Sequence, residues 1–242
     1  MKIVFINPVG TGEADKHMYR VINAVKRPDV EAKVIHMSQG PVHLEYHYYA
    51  HLIMDEMLRA IRKAEKDGYD AAIIGCFNDP GLREARELVT MPVLGPGETC
   101  MHVAATLGHK FSIIIGRRKD LPIMEDNLHS YGLGEKLASF RTVNFTVPQM
   151  TTEQERLHEA IEKEARKALE EDGAEVIILG CTMESGFSKE LMQKLKAPVL
   201  DAVVITWKYA EMLADLYRGI GLSHSKTFDY ESPPKEEGWL KE

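Results

Sequence analysis

The chain has 242 residues, with 30 Lys or Arg against 37 Asp or Glu, a formal net charge of −7 and a pI near 5.8. Hydrophobic residues at 44% and charged residues at 28% are the balance of a folded chain with a sizeable core, which excludes intrinsic disorder. The acidic excess argues against a dedicated nucleic-acid or anionic-membrane binder, and three cysteines, at 76, 100 and 181, are too few for a disulfide scaffold.

In chain order, KIVFI opens the sequence as an apolar run too short for a signal-peptide core, and reads as strand Lys2–Ile6. Further strands are expected at Ala32–His36, Ala71–Gly75, Val93–Leu94, Phe111–Ile115, Phe140–Val147, Val176–Gly180 and Val199–Leu200. Amphipathic helices are expected at His51–Lys66 and Thr152–Glu171, with Gly68 and Gly173 placed to end them. Strands that are apolar throughout and separated by helices indicate parallel sheet covered on both faces. No apolar run approaches the roughly 20 residues of a membrane span. The expected location is the cytoplasm, with reduced thiols. From Ser223 the periodicity fades, and the ending ESPPKEEGWLKE reads as an extension or a partner-covering arm.

An internal repeat organises these elements. Residues 65–76 read EKDGYDAAIIGC and residues 170–181 read EEDGAEVIILGC, with Asp-Gly and Gly-Cys in register. MPVL at 91–94 answers APVL at 197–200, one inserted residue later, and FSIII at 111–115 answers KIVFI. The expected architecture is therefore two pseudo-symmetric, flavodoxin-like three-layer α/β lobes with mainly parallel sheets and a cleft between them. Residues 1–97 with 205–222 would form the first lobe, 98–204 the second, and 223–242 a C-terminal extension. Each lobe then offers one cysteine at the carboxyl end of a core strand, where ligands bind in open α/β sheets.

Cysteine is often only a small buried apolar residue, and Cys100, in the helical stretch GETCMHVAATL with no counterpart in the other half, takes that reading. Cys76 and Cys181 each follow a glycine at a strand end, where backbone N–H groups and a helix dipole are expected to lower a thiol's pKa. A redox disulfide lacks any Cys-x-x-Cys, and neither GCFNDPG nor GCTMESG holds a second cysteine or a histidine for zinc. A third chemistry is proton transfer by two bases on opposite faces of one carbon, a task suited to pseudo-symmetric halves.

These residues resemble the aspartate/glutamate/hydantoin racemase superfamily, most closely the hydantoin racemases, over nearly the whole chain to about residue 220. GCFNDPG at 75–81 is the most specific match. INP at 6–8, SQGP at 38–41 with Glu45, GETCMHVA at 97–104 and Asp201 also fit. The resemblance implies a racemase in which Cys76 and Cys181 are the acid/base pair, working without cofactor or metal. The residues expected to bind substrate are Asn7, Phe77, Asn78, Thr99, Arg117, Thr182 and Met183. Backbone N–H groups of Phe77-Asn78 and Thr182-Met183 are natural donors to an enolate, and the acidic C5 proton of a hydantoin matches a thiol of modestly lowered pKa.

Two departures bear on the substrate. Where hydantoin racemases read Gly-Cys-Ala-Gly-Met, this chain has GCTMESG, and its Thr182 is closer to the Gly-Cys-Thr of amino-acid racemases. After FSIII, where the family places two hydroxyl residues, stands Gly116-Arg117-Arg118. Either arginine suits a substrate carboxylate, the alternative being a solvated pair before KDLP.

His43, His47 and His51 would share one helical stripe, read first as a partly exposed or interface surface, then as pocket lining, and last as a metal site. Tyr46, Tyr48 and Tyr49 read as a pocket wall or subunit contact. Gly10-Thr-Gly12 lacks the third glycine of a dinucleotide loop, and no Gly-Lys-Ser/Thr occurs, which disfavours nucleotide binding. The expected function is cofactor-independent 1,1-proton transfer on a 5-substituted hydantoin or a related small carbonyl compound, in a homo-oligomer without nucleic-acid or membrane partners. Rivals are an amino-acid racemase, a maleate isomerase- or decarboxylase-like enzyme, and a non-catalytic small-molecule binding protein.

Overall fold

A computed structural model describes residues 1–234. The first half of the chain runs β1 (Lys2–Asn7), α1 (Asp15–Val25), β2 (Glu31–His36), α2 (His47–Lys66), β3 (Ala71–Ile74), α3 (Leu82–Leu88) and β4 (Val93–Leu94). The second half runs α4 (Pro96–Leu107), β5 (Phe111–Ile115), α5 (Leu121–Ser130), β6 (Leu137–Thr142), α6 (Val147–Thr152), α7 (Gln154–Glu170), β7 (Val176–Leu179), α8 (Ser188–Leu195), β8 (Val199–Leu200) and α9 (Ala202–Ile220). Two four-stranded parallel sheets result, ordered β2-β1-β3-β4 and β6-β5-β7-β8. The second order is the first with four added to each number, so the sequence repeat is a repeat of topology.

The central strands are buried on both faces, and their side chains alternate between two cores. Ile3 and Phe5 of β1 pack with Met18 and Ile22 of α1 and with Val203, Trp207 and Ala210 of α9, whereas Val4 and Ile6 pack with Ile53, Met57 and Ile61 of α2. The other sheet repeats the arrangement, with Ile113 and Ile115 toward Cys100, Met101 and Met124, and Ile114 toward Leu157 and Ile161 of α7. Cys100 is fully buried in this apolar layer.

Two helices are exchanged between the halves. α4 follows β4 but covers the second sheet, and α9 follows β8 but returns to the first, and the two pack against each other where the lobes meet. Gly68 ends α2 in the left-handed region at φ 77°, with Tyr69 N–H donating to Ala64 O and Gly68 N–H to Glu65 O, both at 3.0 Å. Any side chain there would strain the turn.

Strand ends shift by a residue or more, α2 starts at His47 rather than His51, and the segment around β6 differs most. The strand expected at Phe140–Val147 is β6, and it stops at Thr142. Thr146 and Gln149 form a reciprocal capping box and Pro148 occupies the first turn, so Val147 starts α6 rather than ending a strand. The helix expected at Thr152–Glu171 is α7, Gln154–Glu170, with Thr152 ending α6 on the other side of Glu153. The tail lies from Ser223 to Ser232 against its own lobe. His224 Nε2 accepts from Val93 N–H at 2.8 Å, and the Lys226 ammonium donates to Val89 O at 2.7 Å and Glu87 O at 3.1 Å beyond the end of α3. The rest of the expected extension, 235–242, falls outside the described residues. Among the described residues no helix is long and apolar enough to cross a membrane.

Candidate active site

Each cysteine follows a glycine that closes a strand against its neighbour. Gly75 N–H donates to Ile6 O at 2.8 Å, and Gly180 N–H donates to Ile114 O at 2.7 Å. A Cβ at Gly75 would come within 2.5 Å of the Phe5 ring, and one at Gly180 within 2.5 Å of Ile114 O. Only glycine lets the chain leave the sheet here, which explains the Gly-Cys pairing in both halves. Both turns then close alike, with Asp79 N–H on Cys76 O and Glu184 N–H on Cys181 O, each at 3.0 Å.

Cys76 and Cys181 are free thiols that line one cavity of about 140 Å³, whose wall also includes Asn7, Phe77, Asn78, Thr182 and Met183. The Thr182 hydroxyl donates to Gly75 O at 3.3 Å and so joins the two turns across the cleft. The Asn7 amide donates to Asp15 Oδ1 at 2.6 Å, and Asp15 also meets His36 Nδ1 at 2.7 Å, which fixes how the amide points. Asn78 contributes a buried Oδ1 that has no hydrogen-bond partner.

Thr99 and Arg117 are placed elsewhere. Thr99 is buried in the first turn of α4, its N–H on Gly95 O. Arg117 is not among the lining residues and donates to Glu45 Oε1 at 3.1 Å, so its charge is already met. Arg118 begins a short 3-10 turn, Arg118–Asp120, and does not line the cavity. The histidine stripe does not form, because α2 begins at His47 and leaves His43 in the preceding loop. His43 lines the cavity with Nδ1 3.3 Å from Glu45, His51 is exposed, and among the described residues no cluster of three His, Cys, Asp or Glu is placed to hold a metal. Tyr46 and Tyr49 stand behind His43, with ring centroids 6.0 and 5.5 Å away.

The thiol electrostatics differ from the sequence expectation of lowered pKa values. Burial pushes Cys76 up to about 12, opposed by the Asn78 N–H, and burial also raises Cys181, opposed by the equivalent N–H of Met183. No α-helix begins at either thiol, and Cys181 is followed only by a single 3-10 turn, Thr182–Glu184. α3 starts at Leu82 and α8 at Ser188, too far along the chain for their dipoles to act. The N–H groups two residues beyond each cysteine are the local stabilisation of a thiolate.

Sequence reasoning missed the acidic lining of Glu13 and Asp120, and the wall formed by Phe145, Val147 and Met150. Glu13 follows β1 and Asp120 follows β5, the corresponding strands of the repeat. The Phe145–Met150 wall was concealed by reading that segment as strand. Glu45 was visible only as part of a motif. Among the described residues no lysine or arginine lines the cavity.

A family model described as Asp/Glu/Hydantoin racemase matches residues 3–210. A hydantoin racemase of Pseudomonas sp. (strain NS671) is 33% identical over 237 residues, spanning 98% of this chain and 94% of that protein. An allantoin racemase structure from Klebsiella pneumoniae superposes with a TM-score of 0.91 at 30% identity, covering 98% of this chain and 95% of that one. An allantoin racemase from Pseudomonas fluorescens gives a TM-score of 0.89 at 29% identity, with 98% and 99% covered.

Proposed function

The chain belongs to the Asp/Glu/hydantoin racemase family and is an isomerase of the racemase kind, and from that premise we propose that it racemises a 5-substituted hydantoin by two-cysteine proton transfer. The observation that carries this reading is the pair of thiols at equivalent strand ends, one from each lobe, on one cavity. In the proposed reaction one thiolate removes the C5 proton, the electron pair moves onto the C4 carbonyl oxygen, and the opposite thiol returns a proton to the other face. Each turnover leaves the two cysteines with exchanged protonation, ready for the opposite enantiomer. No cofactor is needed, because the ring carbonyl accepts the charge.

The lining favours a neutral ring over an amino acid. Glu13 and Asp120 face the cavity, Glu45 is compensated by Arg117, and no lysine or arginine is among the described lining residues, an arrangement that disfavours a free carboxylate. The unpartnered Asn78 Oδ1 suits a ring N–H, since an unmet buried acceptor gains most from a donor. Residues 1–97 with 205–222 and 98–204 are the proposed lobes, a division supported by the exchange of α4 and α9. A relative named for allantoin, itself a substituted hydantoin, is compatible with a polar 5-substituent.

The test incubates single enantiomers of a hydantoin panel, allantoin included, beside aspartate and glutamate in D₂O without added cofactor. Loss of optical rotation with deuterium at C5 is expected for at least one hydantoin. Exchange confined to the amino acids, or absent throughout, would overturn the proposal.

A further inference from the structure

Each cysteine turn is fastened by a carboxylate to a helix that covers the opposite sheet. After Cys76 the carboxylate belongs to the turn itself. Asp79 accepts from Gly97 N–H at 2.9 Å and Glu98 N–H at 2.7 Å in the first turn of α4, and from the Tyr131 hydroxyl at 2.8 Å beyond α5. Both helices cover the second sheet. After Cys181 the carboxylate belongs to the helix. Asp201, the N-cap of α9, accepts at Oδ1 from Val203 and Val204 N–H at 3.0 and 3.1 Å, and at Oδ2 from Gly186 N–H of the turn at 2.7 Å. α9 covers the first sheet.

The two helix ends correspond. Gly97 and Glu98 lie two and three residues after Gly95, the N-cap of α4, as Val203 and Val204 lie two and three after Asp201. Gly95 has no side chain to cap with, and the three atoms nearest a Cβ there all belong to the Asp79 carboxyl, the closest at 2.4 Å. Asp79 therefore supplies from the cysteine turn the cap that Asp201 supplies from the helix. Glu184, three residues after Cys181 as Asp79 is after Cys76, makes no such bond, and both its oxygens are buried without a hydrogen-bond partner. Further contacts run the same way. Asn127 Nδ2 of α5 donates to Asn78 O at 3.0 Å, and His17 Nε2 of α1 lies 3.0 Å from Ser185 Oγ. Burial pushes the Asp79 carboxyl up to about 7 and raises Asp201, opposed in each case by the N–H groups it accepts from, which favour the carboxylate form.

We infer that Asp79 and Asp201 are positioning residues, each stapling one cysteine turn to a helix of the other lobe and together fixing the gap across which the two thiols face the substrate. Each carboxylate has two roles, capping a helix and holding a turn. A serine at the N-cap can fill the first role, but its single oxygen is taken up by the helix and leaves nothing for the turn. The assignment rests on the reading of Cys76 and Cys181 as the reacting pair.

Two variants keep the caps and remove the staples. Asp201→Ser leaves α9 an N-cap hydroxyl without a second oxygen for Gly186. Asp79→Gly with Gly95→Ser moves the cap of α4 onto the helix, into space that the Asp79 carboxyl vacates. The full chain is compared with both at about pH 8, where ordinary carboxyl groups and Asp79 are ionised. Amide hydrogen exchange, read by peptide mass spectrometry, should quicken about tenfold or more in residues 181–186 of the first variant and 76–81 of the second, with α9 and α4 still protected. On the hydantoin that the unsubstituted protein racemises fastest, kcat should fall about tenfold with KM little changed. Turn exchange that stays at the unsubstituted rate, or full kcat in a variant whose turn has loosened, would overturn the inference. So would protection lost in α4 or α9 along with the turn, which would reduce the carboxylates to helix caps. The exchange measurement needs no substrate, so its failure is distinct from a failure to racemise.

Discussion

The Thr182 hydroxyl donates to the carbonyl of Gly75, 3.3 Å away across the cleft, so each cysteine turn is tied to the other next to its thiol. This bond sets the separation of the two turns as the exchanged helices α4 and α9 set that of the lobes. Thr182→Val keeps the shape and removes the donor. Its expected cost to stability is about 1 kcal/mol, the net worth of one buried hydrogen bond. Its cost to kcat/KM should be larger, about tenfold or more, because misplacing one base by a fraction of an ångström affects both proton transfers. Thermal unfolding and initial rates on the same preparation compare the two.

Single replacement of either thiol should separate exchange from inversion. In Cys76→Ser or Cys181→Ser the remaining thiol can still remove the proton on its own face. The expected result is loss of racemisation by about a thousandfold or more, with residual deuterium uptake in one enantiomer only, and in the opposite enantiomer for the other variant. NMR in D₂O alongside polarimetry reads both quantities. Equal residual exchange in both enantiomers would contradict the assignment of one cysteine to each face.

Arg117 is committed to Glu45, and that pairing makes a prediction opposite to a substrate-carboxylate role. Arg117→Ala leaves the Glu45 carboxylate uncompensated beside the cavity, and efficiency on a neutral hydantoin should fall about threefold to tenfold, mainly through KM. Arg117→Ala combined with Glu45→Gln should recover much of that loss. A double-mutant cycle showing additive losses would mean that the pair does not act as a unit.

The tail supplies a pH dependence. Burial, followed by the charges of Arg86 and Lys226, lowers His224 to about 4, and its neutral Nε2 accepts from Val93 N–H. The pKa is lowered on folding, so this stabilisation is present above the ordinary histidine value of about 6.5. It is lost as pH falls from there through about 4. Proteolysis within residues 223–232 should therefore accelerate across that window, while His224→Ala should be cleaved readily at neutral pH with little change on acidification. Cleavage that does not vary with pH in the unsubstituted protein would reject the role.

Much of the fold was legible because it is local. The continuous apolar runs of β1 and β5, a Gly-Cys at each strand end and Gly68 at a helix end are recorded in neighbouring residues, and the repeat supplied the two-lobe topology. β6 was harder to delimit, since its half-buried edge-strand residues run without a clear break into the Thr146–Gln149 capping box.

The sequence by itself determined the strand order's repeating plan and the two thiols that share it, since strand periodicity and the need for glycine at a close approach are local physics. Only the tertiary structure decided what surrounds those thiols. Arg117 meets Glu45 across 72 residues, Thr182 meets Gly75 across 107, and Asp79 and Glu184, alike in the sequence, acquire different partners. Burial also raised the thiols that a strand-to-helix turn was expected to make acidic. Charge and solvation depend on distance in space, which the order of residues along the chain does not supply.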